Sequence, residues 1–380
     1  MLIAALLLLV IWIGGKSFWD ECRYECRQVV QAYTEKMYMP GLAYQRMEQK
    51  QNTKDWFRDK ALSWLPLVKY ISDREALEQE VEDEETLAKI LEKQANDENV
   101  VDADGNLVGE SKTAGAVANP GESKSSTDMS IERLRDFDYL LSNFYTVDSS
   151  TMIGPEQLNV DDLLGRSMKI DSSRKGPKIL IFHTHSQEEF VDSIPGDPST
   201  SIVGIGDYLT ELLNQKGIET IHDKGVYDII NGQLDRSNAY EYAEAGVRPI
   251  LEANPSIEVA IDLHRDGVAE GTHLVTEVNG KPTARIMYFN GLSRTRANGD
   301  IAYLPNPYIQ DNLAFSLQME LTSERMFPGF ARHIYLRAYR YNLHLLPKSL
   351  LIEAGAQTNT VQEMKNAMEV LAETLCQVIR

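Results

Sequence analysis

The chain predicts an α/β protein: a largely parallel twisted sheet flanked by helices, preceded by a helical region and a membrane anchor. Three observations lead there. From Lys178 to Arg380 the short apolar runs KILIF, GIETIH, IEVAIDLH and LLIEAG alternate with the helical stretches GIGDYLTELLNQKG, NAYEYAEAGVRPILEANP and NLAFSLQMELTSERM. Strands alternating with helices imply a mostly parallel sheet. The closing stretch, TVQEMKNAMEVLAETLCQVI, sets Val361, Met364, Met368, Leu371, Leu375 and Val378 on one stripe, a helix whose methionines belong to the core. Met1 to Gly15 reads MLIAALLLLVIWIGG, without a charged side chain.

Four regions follow, taken in order. Residues 1–17 read as a membrane anchor. At ~1.5 Å per residue the apolar run falls a little short of a ~30 Å hydrocarbon core. No basic residue precedes it and no A-x-A-like cleavage site follows, so it is expected to be uncleaved and truncated at its start. A buried core helix fits poorly, because the run has no polar face. Residues 18–94 are expected to be helical, with breaks at Pro40-Gly41 and Pro66 and i, i+4 pairs such as Glu85 with Lys89. Residues 95–127 are rich in Gly, Ser, Asn and Asp, lack aromatic residues and read as a flexible linker. Residues 128–380 form the α/β domain, opening with a helix in IERLRDFDYLLSNFYTV and a helical turn leading to a strand in DDLLGRSMKI. THLVTEVNGKPTARIMYFNG reads as a hairpin turning at Asn279-Gly280.

The 380 residues carry a net charge of −19, which argues against nucleic acid as a partner. The three cysteines, Cys22, Cys26 and Cys376, form neither a CxxC pair nor a disulfide framework.

Histidines sit at the ends of the apolar runs: His183, His185, His222 and His264. Ligands of open α/β sheets bind at the carboxyl ends of strands, so HTHSQEEF and DLHRD are expected side by side. A catalytic zinc takes three N or O ligands and keeps a fourth position open. His185 and Glu188, spaced H-x-x-E, supply two, and His264 arrives from the neighbouring strand. His183 rivals His185, and Glu189 and Glu211 rival Glu188. The bland alternative is a set of polar strand ends wetted by solvent. Glu353 follows Leu350, Leu351 and Ile352 on a buried strand, where a carboxylate is rare without a partner or a task. It is the candidate general base, or else it pairs with Arg265. Asp262 shares a face with His264 and is placed to orient it. Arg265 is a candidate for oxyanion or substrate-carboxylate binding, Asp266 stands beside it, and His222 either lines the cleft or is structural.

HTHSQEEF, GIGDYLTELLNQKGI, VAIDLHRDG and LLIEAGAQTNT together resemble the stage II sporulation protein P family of endospore-forming bacteria, over about Lys178 to Arg380. The catalytic domain of that family looks like the zinc-dependent N-acetylmuramoyl-L-alanine amidases. Their late E-x-G-x-x-x-N pattern is matched by Glu353, Gly355 and Asn359, whereas their GHGG is THSQ here. The resemblance implies a Zn2+ hydrolase that cuts the N-acetylmuramoyl-L-alanine amide of peptidoglycan, with stem-peptide cross-links as further substrates. It implies action during engulfment from the outer side of the cell membrane, in a complex with stage II sporulation proteins D and M. Two other readings stay open: a zinc carboxypeptidase or endopeptidase of the wall, and a non-catalytic wall-binding scaffold.

Overall fold

The computed structural model describes residues 101–102, 105–107, 127–236, 238–269 and 271–380. The expected anchor, the helical region 18–94, Cys22 and Cys26 lie outside the described residues. Among the described residues no helix is long and apolar enough to cross a membrane.

A seven-stranded sheet organises the domain. Its strands are β1 (Tyr145–Val147), β2 (Ile179–Phe182), β3 (Thr220–His222), β4 (Val259–Asp266), β5 (Ile286–Gly291), β6 (Ala331–Arg337) and β7 (Lys348–Ala356). Their spatial order is β1-β6-β5-β7-β4-β2-β3. All neighbours are parallel except β5 and β7, so two parallel blocks meet at one antiparallel joint. The four apolar runs named from sequence become β2, β3, β4 and β7. Strands β1 and β6 were not apparent: β1 is a three-residue edge strand, and β6 carries Arg332 and His333 where an apolar run would have shown it.

The helices are α1 (Ile131–Leu134), α2 (Phe137–Phe144), α3 (Val160–Gly165), α4 (Ile202–Gln215), α5 (Ala239–Ala253), α6 (Ile309–Met326) and α7 (Val361–Ile379). The expected first helix is thus split. Asp136 caps α2 by accepting from the Tyr139 N–H, and the last three residues of that stretch become β1. After α3, Met168 to Ile170 form no strand; instead Ile170 donates its N–H to the Ile379 carbonyl. Thr360 and Glu363 close a reciprocal capping box at the start of α7. Its Met364, Met368, Leu371 and Leu375 are fully buried, so the stripe is core as expected.

Strand alternation sorts the sheet's two faces. Val259, Ile261 and Leu263 join the large core that α4, α6 and α7 cover. Ala260, Asp262, His264 and Asp266 occupy the opposite face, as a side-chain period of two requires. On β7, Leu350, Ile352 and Ala354 face the large core, while Leu351 and Glu353 face the other way. Helix α5 covers part of that second face through Ala243 and Val247 against Leu180, Phe182 and Ala260. Beside this patch the face carries Asp262, His264 and Glu353, and beyond them a second apolar cluster that includes Met287, Phe289, Tyr335 and Leu351.

The hairpin turns at Asn279 and Gly280 as expected, with φ of 53° and 75°. It pairs only Val275–Val278 with Lys281–Ala284. After Arg285 the chain leaves it to become β5. Within the stretch read as a linker, Val101 and Leu107 form an antiparallel bridge. In the sequence, the Asp-Gly dipeptide of VVDADGNLV between apolar residues is a hairpin signal.

Candidate metal centre

β2 ends at Phe182, and the next six residues turn His185 and Glu188 back over the sheet. Two carboxylates hold that turn. Asp262 accepts from the Thr184 N–H (2.9 Å) and hydroxyl (2.6 Å). Asp228 accepts from the Ser186 hydroxyl (2.7 Å) and the Gln187 N–H (3.2 Å). Neither Asp228 nor Thr184 was singled out from sequence, because a lone Asp or Thr in a loop carries no spacing signal.

His185, Glu188 and His264 then converge. One donor atom from each lies within 4.8 Å of the others, and all three residues are buried. Glu188 Oε1 is 3.6 Å from His185 Nδ1 and 3.8 Å from His264 Nδ1. Its Oε2 accepts the Arg265 backbone N–H at 2.8 Å, which fixes the carboxylate plane. His264 Nε2 is bound to Asp262 Oδ1 at 2.7 Å, so Nδ1 is the nitrogen turned toward Glu188. Of the rival glutamates, Glu189 and Glu211 are exposed.

Glu353 stands beside His264 in the β4–β7 register and lines the same cavity. Its Oε2 is buried with no hydrogen-bond partner. Arg265 is not its partner, since the Arg265 guanidinium donates to the Glu189 carbonyl (3.0 Å) and the Asp266 carbonyl (3.1 Å). Asp266 is paired with fully buried Arg332 at 2.7 Å.

The carboxylates are driven apart electrostatically. Burial raises the Glu188 pKa, but hydrogen bonds from His185 and His264 outweigh it and hold the group well below the usual range. Burial, then the charges of Asp266 and Glu188, push Glu353 well above it against the pull of His264. For His264, burial is overcome by Asp262 and Glu188, and the pKa rises well above its ordinary value. Burial lowers that of His185.

The other candidates lie apart. His183 gives Nδ1–H to the Leu263 carbonyl at 2.7 Å, and its Nε2 meets His222 Nε2 at 2.8 Å. His222 Nδ1 meets Asp207 at 2.9 Å. Neither histidine is among the residues lining the cavity. Asn359 is fully buried and fastens the turn after β7, accepting the Ala356 N–H and donating to the Leu274 carbonyl and Glu363. Sequence reading missed the aromatic wall. Tyr240 sets its ring edge-on to His185 with centroids 5.6 Å apart, and Tyr341 and Phe289 continue the row.

The donor set fits a divalent cation. Two imidazoles and a carboxylate are the ligands of an open zinc site, Asp262 supplies the carboxylate behind a ligating histidine, and His185 Nε2 and Glu353 Oε2 are buried without partners.

Stage II sporulation protein P of Bacillus subtilis (strain 168) is 20% identical over 254 residues, 60% of this chain and 60% of that protein. The chain thus matches less than two thirds of that relative's length. Among solved structures, the CwlD amidase from Clostridioides difficile in complex with the GerS lipoprotein is 13% identical, with a TM-score of 0.34 over 53% of this chain and 98% of that one. The N-acetylmuramoyl-L-alanine amidase AmiC2 of Nostoc punctiforme is 12% identical, with a TM-score of 0.31 over 54% and 98%. A metallo-carboxypeptidase from Burkholderia cenocepacia is 10% identical, with a TM-score of 0.29 over 55% and 59%. Scores this low assign no activity. A sequence model described as stage II sporulation protein P (SpoIIP) matches residues 31–376, and on that match the chain belongs to the stage II sporulation protein P family.

Proposed function

We propose that this chain is a metal-dependent peptidoglycan hydrolase of sporulation that cleaves the N-acetylmuramoyl-L-alanine amide, with Zn2+ as its cofactor. The observation that carries the reading is the convergence of His185, Glu188 and His264 beside the unpartnered Glu353 carboxylate. In keeping with the family, the proposed setting is engulfment. The domain faces the wall from the outer side of the membrane, anchored by the N-terminal apolar run and partnered by stage II sporulation proteins D and M.

His185, Glu188 and His264 would hold the cation through two nitrogens and one oxygen. When bound, it supplies Lewis-acid polarisation of a carbonyl and acidifies water. The protein's own contribution is proton traffic and positioning. Glu188, kept ionised, stays a ligand. Glu353 has an elevated proton affinity and no competing partner, so it takes the proton from the attacking water and delivers it to the departing amine of L-alanine. This is the division of labour that oppositely shifted carboxylates perform. Arg265, held at the cavity rim by the Glu189 and Asp266 carbonyls, offers its remaining donors to the oxyanion or to a substrate carboxylate.

The test is digestion of purified peptidoglycan by the full chain with and without Zn2+, read by mass spectrometry. Peptide-free muramyl glycan and intact stem peptides are expected. Shortened stems left on the glycan would indicate a peptidase instead, and no cleavage under either condition would indicate a scaffold. Glu353→Gln should keep the metal and lose roughly 10²–10⁴-fold in rate; a variant of undiminished activity would remove Glu353 from its role.

A further inference from the structure

Arg337 closes β6 at its carboxyl end, the end at which ligands of such sheets bind. It lines the cavity of His185, Glu188, His264 and Glu353 from the far side of the antiparallel joint. Its side chain is only 15% exposed, and its Nε is buried without a hydrogen-bond partner. Among the described residues its ion pair is a long one, Nη2 to Asp148 Oδ2 at 3.6 Å, beyond hydrogen-bonding distance.

Asp148 is itself occupied. It accepts from the Tyr335 hydroxyl at 2.7 Å, from the Ser150 N–H at 2.9 Å and from the Ser150 hydroxyl. The edge strand β1 delivers it: Val147 pairs with Leu336, and the Asp148 N–H donates to the Leu336 carbonyl at 2.9 Å. The Arg337 guanidinium carbon lies 5.4 Å from the centre of the Tyr335 ring, within the ~6 Å at which an aromatic face attracts a cation. The cation is thus steadied by a ring and a long ion pair, neither of which engages a donor at hydrogen-bonding distance.

A guanidinium carries five N–H donors in a planar fork that matches a carboxylate, and leaving such donors buried and unmade is costly. The neighbouring arginines are committed. Arg265 donates to the Glu189 and Asp266 carbonyls, and Arg332 pairs with Asp266. We propose that Arg337 anchors a free carboxylate of the stem peptide, so that the site reads the peptide on the leaving side of the scissile amide. The inference rests on the hydrolase reading above. In that substrate the sugars are N-acetylated and neutral, and the lactyl carboxyl is tied up in the scissile amide. Free carboxylates therefore occur only on the peptide. The nearest belongs to a second-position glutamate joined onward through its side chain, whose α-carboxylate is free. A monoanion suits a single guanidinium; Asp148 and Glu188 would repel a dianion such as phosphate. Arg337 is then a specificity-determining residue, and it leaves Arg265 to the oxyanion.

The experiment uses the full chain with Zn2+ and two matched probes: N-acetylmuramoyl-L-alanyl-D-glutamate and its amide, N-acetylmuramoyl-L-alanyl-D-isoglutamine. Binding is read by calorimetry and hydrolysis by mass spectrometry. The parent should favour the acid in both, on the order of 10–100-fold. Arg337→Gln should bring the acid down to the level of the amide and leave the amide unchanged. Arg337→Lys, which keeps the charge without the fork, should retain a smaller preference, and thermal melting should show both variants folded. A parent that binds the two probes equally, or binds neither, would overturn the proposal. So would an Arg337→Gln protein that keeps the preference, or one that loses both probes alike, because the arginine would then be structural. Acid-selective binding that Arg337→Gln abolishes, with no hydrolysis by the parent, would sustain the carboxylate site and remove the hydrolase reading.

Discussion

At the scale of single residues, Asp262 decides what His264 does. It holds Nε2 at 2.7 Å and leaves Nδ1 turned toward Glu188. Burial alone would lower the His264 pKa, yet the two flanking carboxylates raise it well above its ordinary value. The metal-free ring therefore holds its proton more firmly than a free imidazole does, and a cation must displace it. Zn2+ binding should be accompanied by proton release, read by calorimetry in buffers of differing ionisation enthalpy. His185, with its lowered pKa, contributes none, and a proton count near zero would contradict the assignment. Asp262→Asn should weaken the metal by ~10–100-fold in a competition titration. These residues were legible in the sequence because strand ends and the i, i+2 relation fix which side chains share a face. Arg332 was not: a buried cation is recognisable only once Asp266 is seen against it.

At the scale of elements, α4 shows a conflict of local and tertiary demands. Glycine inside a helix costs about 1 kcal/mol relative to alanine. A Cβ at Gly206 would lie 2.5 Å from His183 Nε2 and 2.7 Å from His222 Nε2. The glycine is what lets the helix settle on the paired imidazoles. Gly206→Ala should therefore destabilise the domain by roughly 1–3 kcal/mol despite its better propensity, seen as a lower melting temperature. Adding His222→Ala should recover part of the loss. A stabilised Gly206→Ala protein would contradict the packing described. Helices α4 to α7 were readable from their periodicity. The Val101–Leu107 bridge was passed over because its apolar residues are few within a stretch rich in Gly, Ser, Asn and Asp, although the Asp-Gly dipeptide carries the local signal.

At the scale of the whole molecule, Glu244 joins α5 to the loop after β6. It binds Arg340 at 2.7 Å and His344 at 3.1 Å, with Arg248 on the same carboxylate. In the same loop the Asn342 side chain reaches the Tyr240 carbonyl at 2.9 Å. Hydrogen bonding from His344 outweighs partial burial and, with Arg248 and Arg340, holds Glu244 at about 2 against 4.5 for the free group. A depressed carboxylate pKa contributes stability that is fully present above 4.5 and lost as pH falls through about 2. Glu244→Gln should cost on the order of 2 kcal/mol at pH 7. Denaturation curves of variant and parent should converge as pH drops from 4.5 toward 2; a gap independent of pH would rule out the linkage. The clasp was invisible in the sequence, since nothing in the spacing relates position 244 to 340 or 344. The α/β class was legible, because apolar runs announce buried parallel strands. The antiparallel joint was not, because strand direction is set by connections on the far side of the sheet.

That joint divides the labour of the site. The block of β2, β4 and β7 brings every proposed cation ligand and Glu353. The block of β5 and β6 brings Met287, Phe289, Tyr335 and Arg337, which form the opposite wall. The two halves are inherited on different stretches of chain and meet along a single seam. Substitutions on β5 or β6 can therefore reshape that lining while the proposed ligands and Glu353 stay where they are.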